Sequence, residues 1–353
     1  MHLSQRFLSF PMRILLRRVC VLAWLCANTS VAHADFDAAM MARQRGDFPA
    51  AFHEMQKEAD AGAADAQEML GRMLLSGQGT SKDAASAVRW FRKAAENGLV
   101  AGMLSFGTAA LHGIGMQADP VLGVQWITRA ATAGSAPAML ALGDCYRQGI
   151  GVPRNVVAAH DWLLQAAQTG SPDGMYLLAD LLLSPTAGAN DETAGLKWLK
   201  AAAEAGQAAA QTRLAQNLAT GRNGIERDDA AAAAWAQKAA LRDDQAAALL
   251  CALYARGING GSPDGALAFR WCSVAADSGV PAAIVTLARL YLDGTGTKRD
   301  AMSALTWASI GSTHGNPAER QNAARLRATA ANLLSPAEQQ IAQTRADTWH
   351  PLP

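Results

Sequence analysis

Apolar residues recur along this chain on two scales. Within a stretch they fall three or four apart, the spacing of one face of an α-helix, and the stretches themselves return after 36 or 37 residues. Seven tryptophans mark the longer period: Trp90, Trp126, Trp162, Trp198, Trp235, Trp271 and Trp307. Three positions before each stands Ala or Gly, from Ala87 to Ala304, and four after it stands Ala or Gly again, from Ala94 to Gly311. Both sets share the Trp face of one helix, where small residues let a neighbouring helix approach while the indole fills the gap. A strip of Trp could instead stack sugars, but the Ala and Gly frame favours packing.

The first full unit shows the elements. Ala66 to Leu75 predicts a helix A with Leu70-Gly71 at its centre, Gly77-Gln78-Gly79 breaks it, Ser81 to Asp83 starts a helix B, and Gly98 ends that helix. Seven such units run over residues 66–317. A period of this length implies an all-α solenoid of stacked helix-turn-helix repeats, each burying its apolar face on its neighbours. Two units depart from the rule. Asp243 replaces the stop glycine of the fifth, which predicts a less tightly formed helix end. The fourth has Ser184-Pro185-Thr186-Ala187-Gly188-Ala189-Asn190 in place of G-x-G, which predicts a reshaped loop.

The flanks read as caps. Residues 35–65 form a helical hairpin without the Trp, with Ala38, Met41 and Ala42 lining its first helix and Ala51, Phe52 and Met55 its second. Residues 318–353 form a closing pair. There Ala323, Leu326, Ala330 and Leu333 lie at helical spacing, and Ser335-Pro336-Ala337-Glu338 opens the last helix, which carries Ile341, Ala342 and Ala346. Trp349 is expected to close the final repeat.

Residues 1–34 do not belong to this pattern. Arg6, Arg13, Arg17 and Arg18 precede the apolar run Val19 to Ala27, and Ala32-His33-Ala34 has the form of a secretory cleavage site, so a signal peptide cleaved after Ala34 is expected. The apolar run is shorter than the roughly 20 residues of a membrane span, so no span remains after cleavage. Leu16 before Arg17-Arg18 argues against twin-arginine export, and Leu25 before Cys26 against lipidation. The expected location is periplasmic or secreted. Loss of the four leader arginines leaves 27 Lys plus Arg against 30 Asp plus Glu, a net charge near −3 with no basic stripe for nucleic acid.

The run Leu142-Gly143, Tyr146, Gly149-Ile150-Gly151-Val152, Asn155, Ala159, Trp162, Ala166-Ala167 and Gly170 resembles the Sel1-like repeat, a relative of the tetratricopeptide repeat. That resemblance covers all seven units. It implies a right-handed α/α superhelix and a role as scaffold or adaptor in protein complexes, with no shared catalytic residues. The geometry of tetratricopeptide arrays further implies a concave surface lined by helix A. In the middle of the array that surface comprises Leu104, Thr108, Leu111 and His112, then Leu140, Asp144, Arg147 and Gln148, then Tyr176, Asp180 and Leu183. Apolar groups beside charged ones suit an extended peptide or a helix laid across the repeats.

No enzyme motif competes with this reading. The histidines are scattered, there is no H-E-x-x-H, C-x-x-C, G-x-S-x-G or phosphate-binding glycine loop, and Asp228-Asp229 and Asp243-Asp244 read as helix caps. No enzyme activity, cofactor or metal is expected. The reading is therefore an exported, non-catalytic module binding a protein or peptide; the alternative is a carbohydrate or cell-wall binding module. Cys251 on helix A and Cys272, next to Trp271 on helix B, fall at facing levels of one hairpin. They form either a disulfide or two adjacent buried thiols, and Cys145 stays free in both cases.

Overall fold

The computed structural model describes residues 36–184 and 191–352, and the reshaped loop expected at 185–190 lies outside the described residues, as does the leader. All described regular structure is helical: α1 (36–44), α2 (Phe48–Asp60), α3 (Ala64–Ser76), α4 (Ala84–Glu96), α5 (Val100–His112), α6 (Pro120–Thr132), α7 (Ala136–Gln148), α8 (Val156–Gln168), α9 (Pro172–Leu183), α10 (Glu192–Glu204), α11 (Ala208–Thr220), α12 (Asp229–Ala239), α13 (Asp244–Arg256), α14 (Gly265–Asp277), α15 (Pro281–Asp293), α16 (Ala301–Gly311), α17 (Pro317–Ala331) and α18 (Pro336–Asp347). Odd numbers from α3 onward are the A helices and even numbers the B helices. From α2 to α7 and from α9 to α17 each packs on the next in sequence, the pairing of an α-solenoid, while α18 returns to pack on α16.

The chain divides into two compact units, residues 1–166 and 167–353. In unit 1 the core runs from Met55, Leu70, Met73 and Phe91 to Ile127 and Leu142, all nearly solvent-free. In unit 2 it runs through Leu199, Leu250, Leu253, Cys272 and Ile284. Alanine supplies much of both cores, because it spans the narrow gap between closely approaching helices at little entropic cost.

Local chemistry accounts for the boundaries. Most B helices open on an aspartate whose carboxylate accepts a backbone N–H of the first turn, as Asp83 does from Ser86 and Asp119 from Leu122, and in α8 the Asn155 side chain accepts from Ala158 in the same way. The A helices α3, α5, α7 and α15 end on a left-handed glycine. The second glycine of G-x-G is needed for close approach. A Cβ on Gly151 would come within 2.2 Å of the Pro120 carbonyl oxygen, and Gly79 and Gly115 stand equally close to Phe48 and Ala84. That glycine lets one repeat's turn rest on the first turn of the preceding B helix. Gly151→Ala is expected to lower stability by about 2 kcal/mol, since Pro120 must withdraw and φ is positive, and thermal unfolding will check it.

Several expectations are corrected. In α1 the buried residues are Ala39 and Ala42, while Ala38 is exposed and Met41 is 59% exposed, because one side of the terminal helix faces water. At the other end Leu333 and Ile341 are about half exposed, and Ala323, Ala330 and Ala342 form the contact instead. Trp349 packs edge-on against Trp307 and His314, at centroid distances of 5.8 and 5.9 Å. α12 has 11 residues where α10 and α14 have 13, but α16, which keeps its stop glycine Gly315, also has 11, so this length does not follow from Asp243. Asp243 is itself well held, because it caps α13 through the Gln245 N–H and accepts a hydrogen bond from Thr212 Oγ at 2.6 Å.

Candidate functional site

In unit 2 the A helices α9 and α11 and the start of α13 border an open cavity of about 620 Å³. Tyr176 and Leu183 reach it from α9, and Thr212, Arg213, Gln216, Asn217 and Thr220 from α11. Arg222 and Asn223 follow in the turn, and Asp243 and Gln245 complete the wall. Arg213 forms an ion pair with Asp180, which fixes the guanidinium between α9 and α11. The site has no nucleophile beside a base. Its polar groups can hydrogen-bond and its Tyr176 ring can pack, which suits binding an extended chain.

Of the residues singled out from sequence, Tyr176 and Leu183 line this cavity and Asp180 orients its arginine. Leu183, however, is only 5% exposed and packs where Gly195 leaves room, since a Cβ there would lie 2.8 Å from Leu183 Cγ. It is core that happens to floor the cavity rather than an exposed anchor. The offsets that select Tyr176 and Asp180 from the central Ala179, carried one repeat on to Ala215, select Thr212 and Gln216, and the offset of Gln148 from Gly143 selects Thr220; all three line the cavity. Arg213, Asn217 and Asp243 had no such signal.

The unit 1 candidates are arranged differently. Leu104, Leu111 and Leu140 are half-buried against the core, Thr108 is half-buried, and His112 is exposed. Asp144 accepts from Arg147 Nε at 3.0 Å and also binds Gln148, so all three are tied together along α7. None of these residues lines either of two cavities found in unit 1 among the described residues, of about 370 and 450 Å³, bounded mainly by α4 and α6.

Among the seven repeat tryptophans Trp271 is buried and the other six are half-buried. Lys93, Arg129, Lys238 and Arg270 lie over Trp90, Trp126, Trp235 and Trp271, covering ring faces that a sugar would need. Among the described residues no group of three His, Cys, Asp or Glu could hold a metal ion, and no helix is long and apolar enough to cross a membrane.

Two side-chain arrangements in unit 2 are structural. Cys251 and Cys272 are joined by a disulfide, with Cα atoms 4.7 Å apart, while Cys145 in unit 1 is free and buried. Asp228 caps α12, but its neighbour Asp229 is no cap: it is solvent-free and accepts from Arg227 at 3.0 Å, Arg256 at 2.6 Å and the Asn259 N–H at 3.3 Å. These donors, led by Arg227, hold its carboxyl below the usual range despite burial.

Comparison with known proteins agrees with this architecture. Residues 64–99, 103–135, 136–171, 172–207, 208–244, 245–280 and 281–316 each match the Sel1 repeat. A crystal structure of a Sel1 repeat protein from Oxalobacter formigenes is 26% identical over 68% of this chain and 98% of its own, with a TM-score of 0.62. A protective antigen of uropathogenic Escherichia coli strains, displaying an SLR fold, is 24% identical over 92% of this chain and 85% of its own, with a TM-score of 0.44. Yeast Tom70 is 13% identical over 87% and 67%, with a TM-score of 0.46. No curated protein matches the chain at a significant level. With seven consecutive matches over well more than half of its length, the chain belongs to the Sel1 repeat family.

Proposed function

We propose that this protein is an exported, non-catalytic scaffold or adaptor that holds an extended segment of a partner protein on the concave, helix-A face. Sel1 repeats generally serve as protein-interaction scaffolds, and the observation that carries the reading is the cavity shared by α9, α11 and α13. One half-buried aromatic ring amid polar side chains offers apolar contact together with partners for a peptide main chain. Export to the periplasm or beyond is supported by the arginine-bearing leader with its Ala32-His33-Ala34 site, and by a disulfide, which an oxidising compartment sustains. The carbohydrate reading is served less well: Tyr254 and Tyr291 pack on the core, and the rings at the unit 1 cavities, Trp126 and Tyr146, are half-buried, with Arg129 over Trp126.

Affinity capture from the native envelope by the immobilised mature chain tests the reading. Tyr176→Ala combined with Gln216→Arg is expected to weaken recovery of the partner at least about tenfold with an unchanged melting temperature. Lys200→Ala with Glu204→Ala, on the exposed surface of helix α10, is expected to leave recovery intact. The opposite pattern overturns the assignment of the helix-A face.

A further inference from the structure

Asn217 breaks the repeat. Two positions after the small residue at the centre of helix A, the other units carry Met73, Ala109, Cys145, Leu181, Leu253 and Leu290, every one of them apolar and buried. Asn217 is as buried as these, at 6% exposure, and it lines the unit 2 cavity. Its Oδ1 accepts from Asn223 Nδ2 at 3.3 Å, but its own amide nitrogen is closed to solvent and has no hydrogen-bond partner. A buried donor left unpaired weakens a fold, so an apolar residue at this position would serve the array better.

The surroundings indicate what such a donor awaits. Asn259, one repeat on from Asn223 and likewise in the left-handed region, binds the Asp229 N–H of the preceding B helix. Asn223 instead turns to Asn217. Asp180 neutralises Arg213, and Asp243 is occupied by Thr212 and the Gln245 N–H. Arg222 is exposed, lines the same cavity, and its guanidinium has no ion pair or hydrogen bond among the described residues. Besides the neutral side chains of Tyr176, Gln216 and Gln245, the capacity left over is a buried amide donor and a guanidinium, both seeking an acceptor, and with Asp180 set against Arg213 and the Asp243 charge opposite Arg222 the site tolerates one added negative charge better than two.

We infer that the unit 2 cavity binds a carboxylate of the partner peptide, received by Asn217 and Arg222. This deepens the proposed function and rests on it. Asn223, held to Asn217 by its 3.3 Å bond, is the side chain that yields as the carboxylate enters. The carboxylate belongs either to an Asp or Glu side chain or to a chain terminus.

The test uses bead-displayed random decapeptides in four pools, with acidic residues allowed or excluded and the C-terminus free or amidated, selected on the mature, disulfide-bonded chain. Pools with a carboxylate are expected to enrich, and the pool that does so identifies the source. Asn217→Leu, the residue of the flanking repeats, is expected to raise the melting temperature while lowering affinity for the selected peptides about tenfold, with Asn217→Ala as the smaller replacement. Equal enrichment of all pools overturns the inference and leaves peptide binding standing. So does an Asn217→Leu or Asn217→Ala variant that keeps its affinity and melts lower, since Asn217 is then a structural residue. Enrichment of no pool sinks the peptide-binding reading, and this inference with it.

Discussion

Asp229→Asn is expected to destabilise unit 2 by about 3 kcal/mol at neutral pH. The carboxylate is fully buried between α12 and the turn after α13, and it takes charged hydrogen bonds from Arg227 and Arg256 and a backbone bond from Asn259. Replacing it by a neutral amide removes the charge that both guanidinium groups face and brings an N–H₂ against them. The loss lies at the lower end for a broken buried pair, because the arginines are 57% and 45% exposed and regain water. Nearest-neighbour coupling in a repeat array confines the effect, so hydrogen exchange in α12 and α13 is expected to accelerate before that in α17.

The pH dependence has a definite sign. The folded state holds Asp229 below its ordinary value of 3.8, so its contribution is complete above that value and disappears as pH falls through the depressed folded value. The stability gap between native chain and variant is therefore expected to be widest near neutrality and to close in acid. A gap that stays constant from neutral to strongly acidic pH would mean that packing, not charge, makes the contribution.

Loss of the Cys251–Cys272 disulfide is expected to cost about as much, roughly 3 kcal/mol, through the freedom that a 21-residue loop regains in the unfolded chain. Cys251→Ala with Cys272→Ala isolates this effect, because alanine suits the small, buried positions on α13 and α14. Denaturant unfolding of native, reduced and doubly substituted chains will measure it, with the last two expected to coincide. Protein recovered from the native envelope supplies a second check. The mature chain is expected to begin at Asp35 and to contain one alkylatable thiol after denaturation, Cys145, whose burial raises its pKa and keeps it unreactive in the fold. Three alkylatable thiols would show that the bond does not form in the cell, and would remove one support for export.

Where the sequence was legible, the information was local or periodic. The spacing of Trp90 to Trp307 carries the solenoid, because a helix presents the same face at a fixed interval and each repeat must meet a copy of itself. Helix boundaries follow from Asp83, Ser335 and the glycine stops, since capping is decided within four residues. Cys251 and Cys272 could be placed at one level of a hairpin by counting, although counting left open whether they were bonded.

Tertiary structure decided what depends on two elements at once. Asp229 reads as a second capping carboxylate until Arg256 and Asn259, some 30 residues away, close over it. Leu183 reads as an exposed groove residue until Gly195 on α10 offers it a seat in the core. The cavity itself needed α9, α11 and α13 together, and Asn217 stood unremarked in sequence because an asparagine near a helix end is ordinary. Only burial, with its amide nitrogen left unpaired, makes that residue conspicuous: periodicity dictates which faces meet, whereas the energy of a polar group is set by the neighbours that three-dimensional packing brings to it.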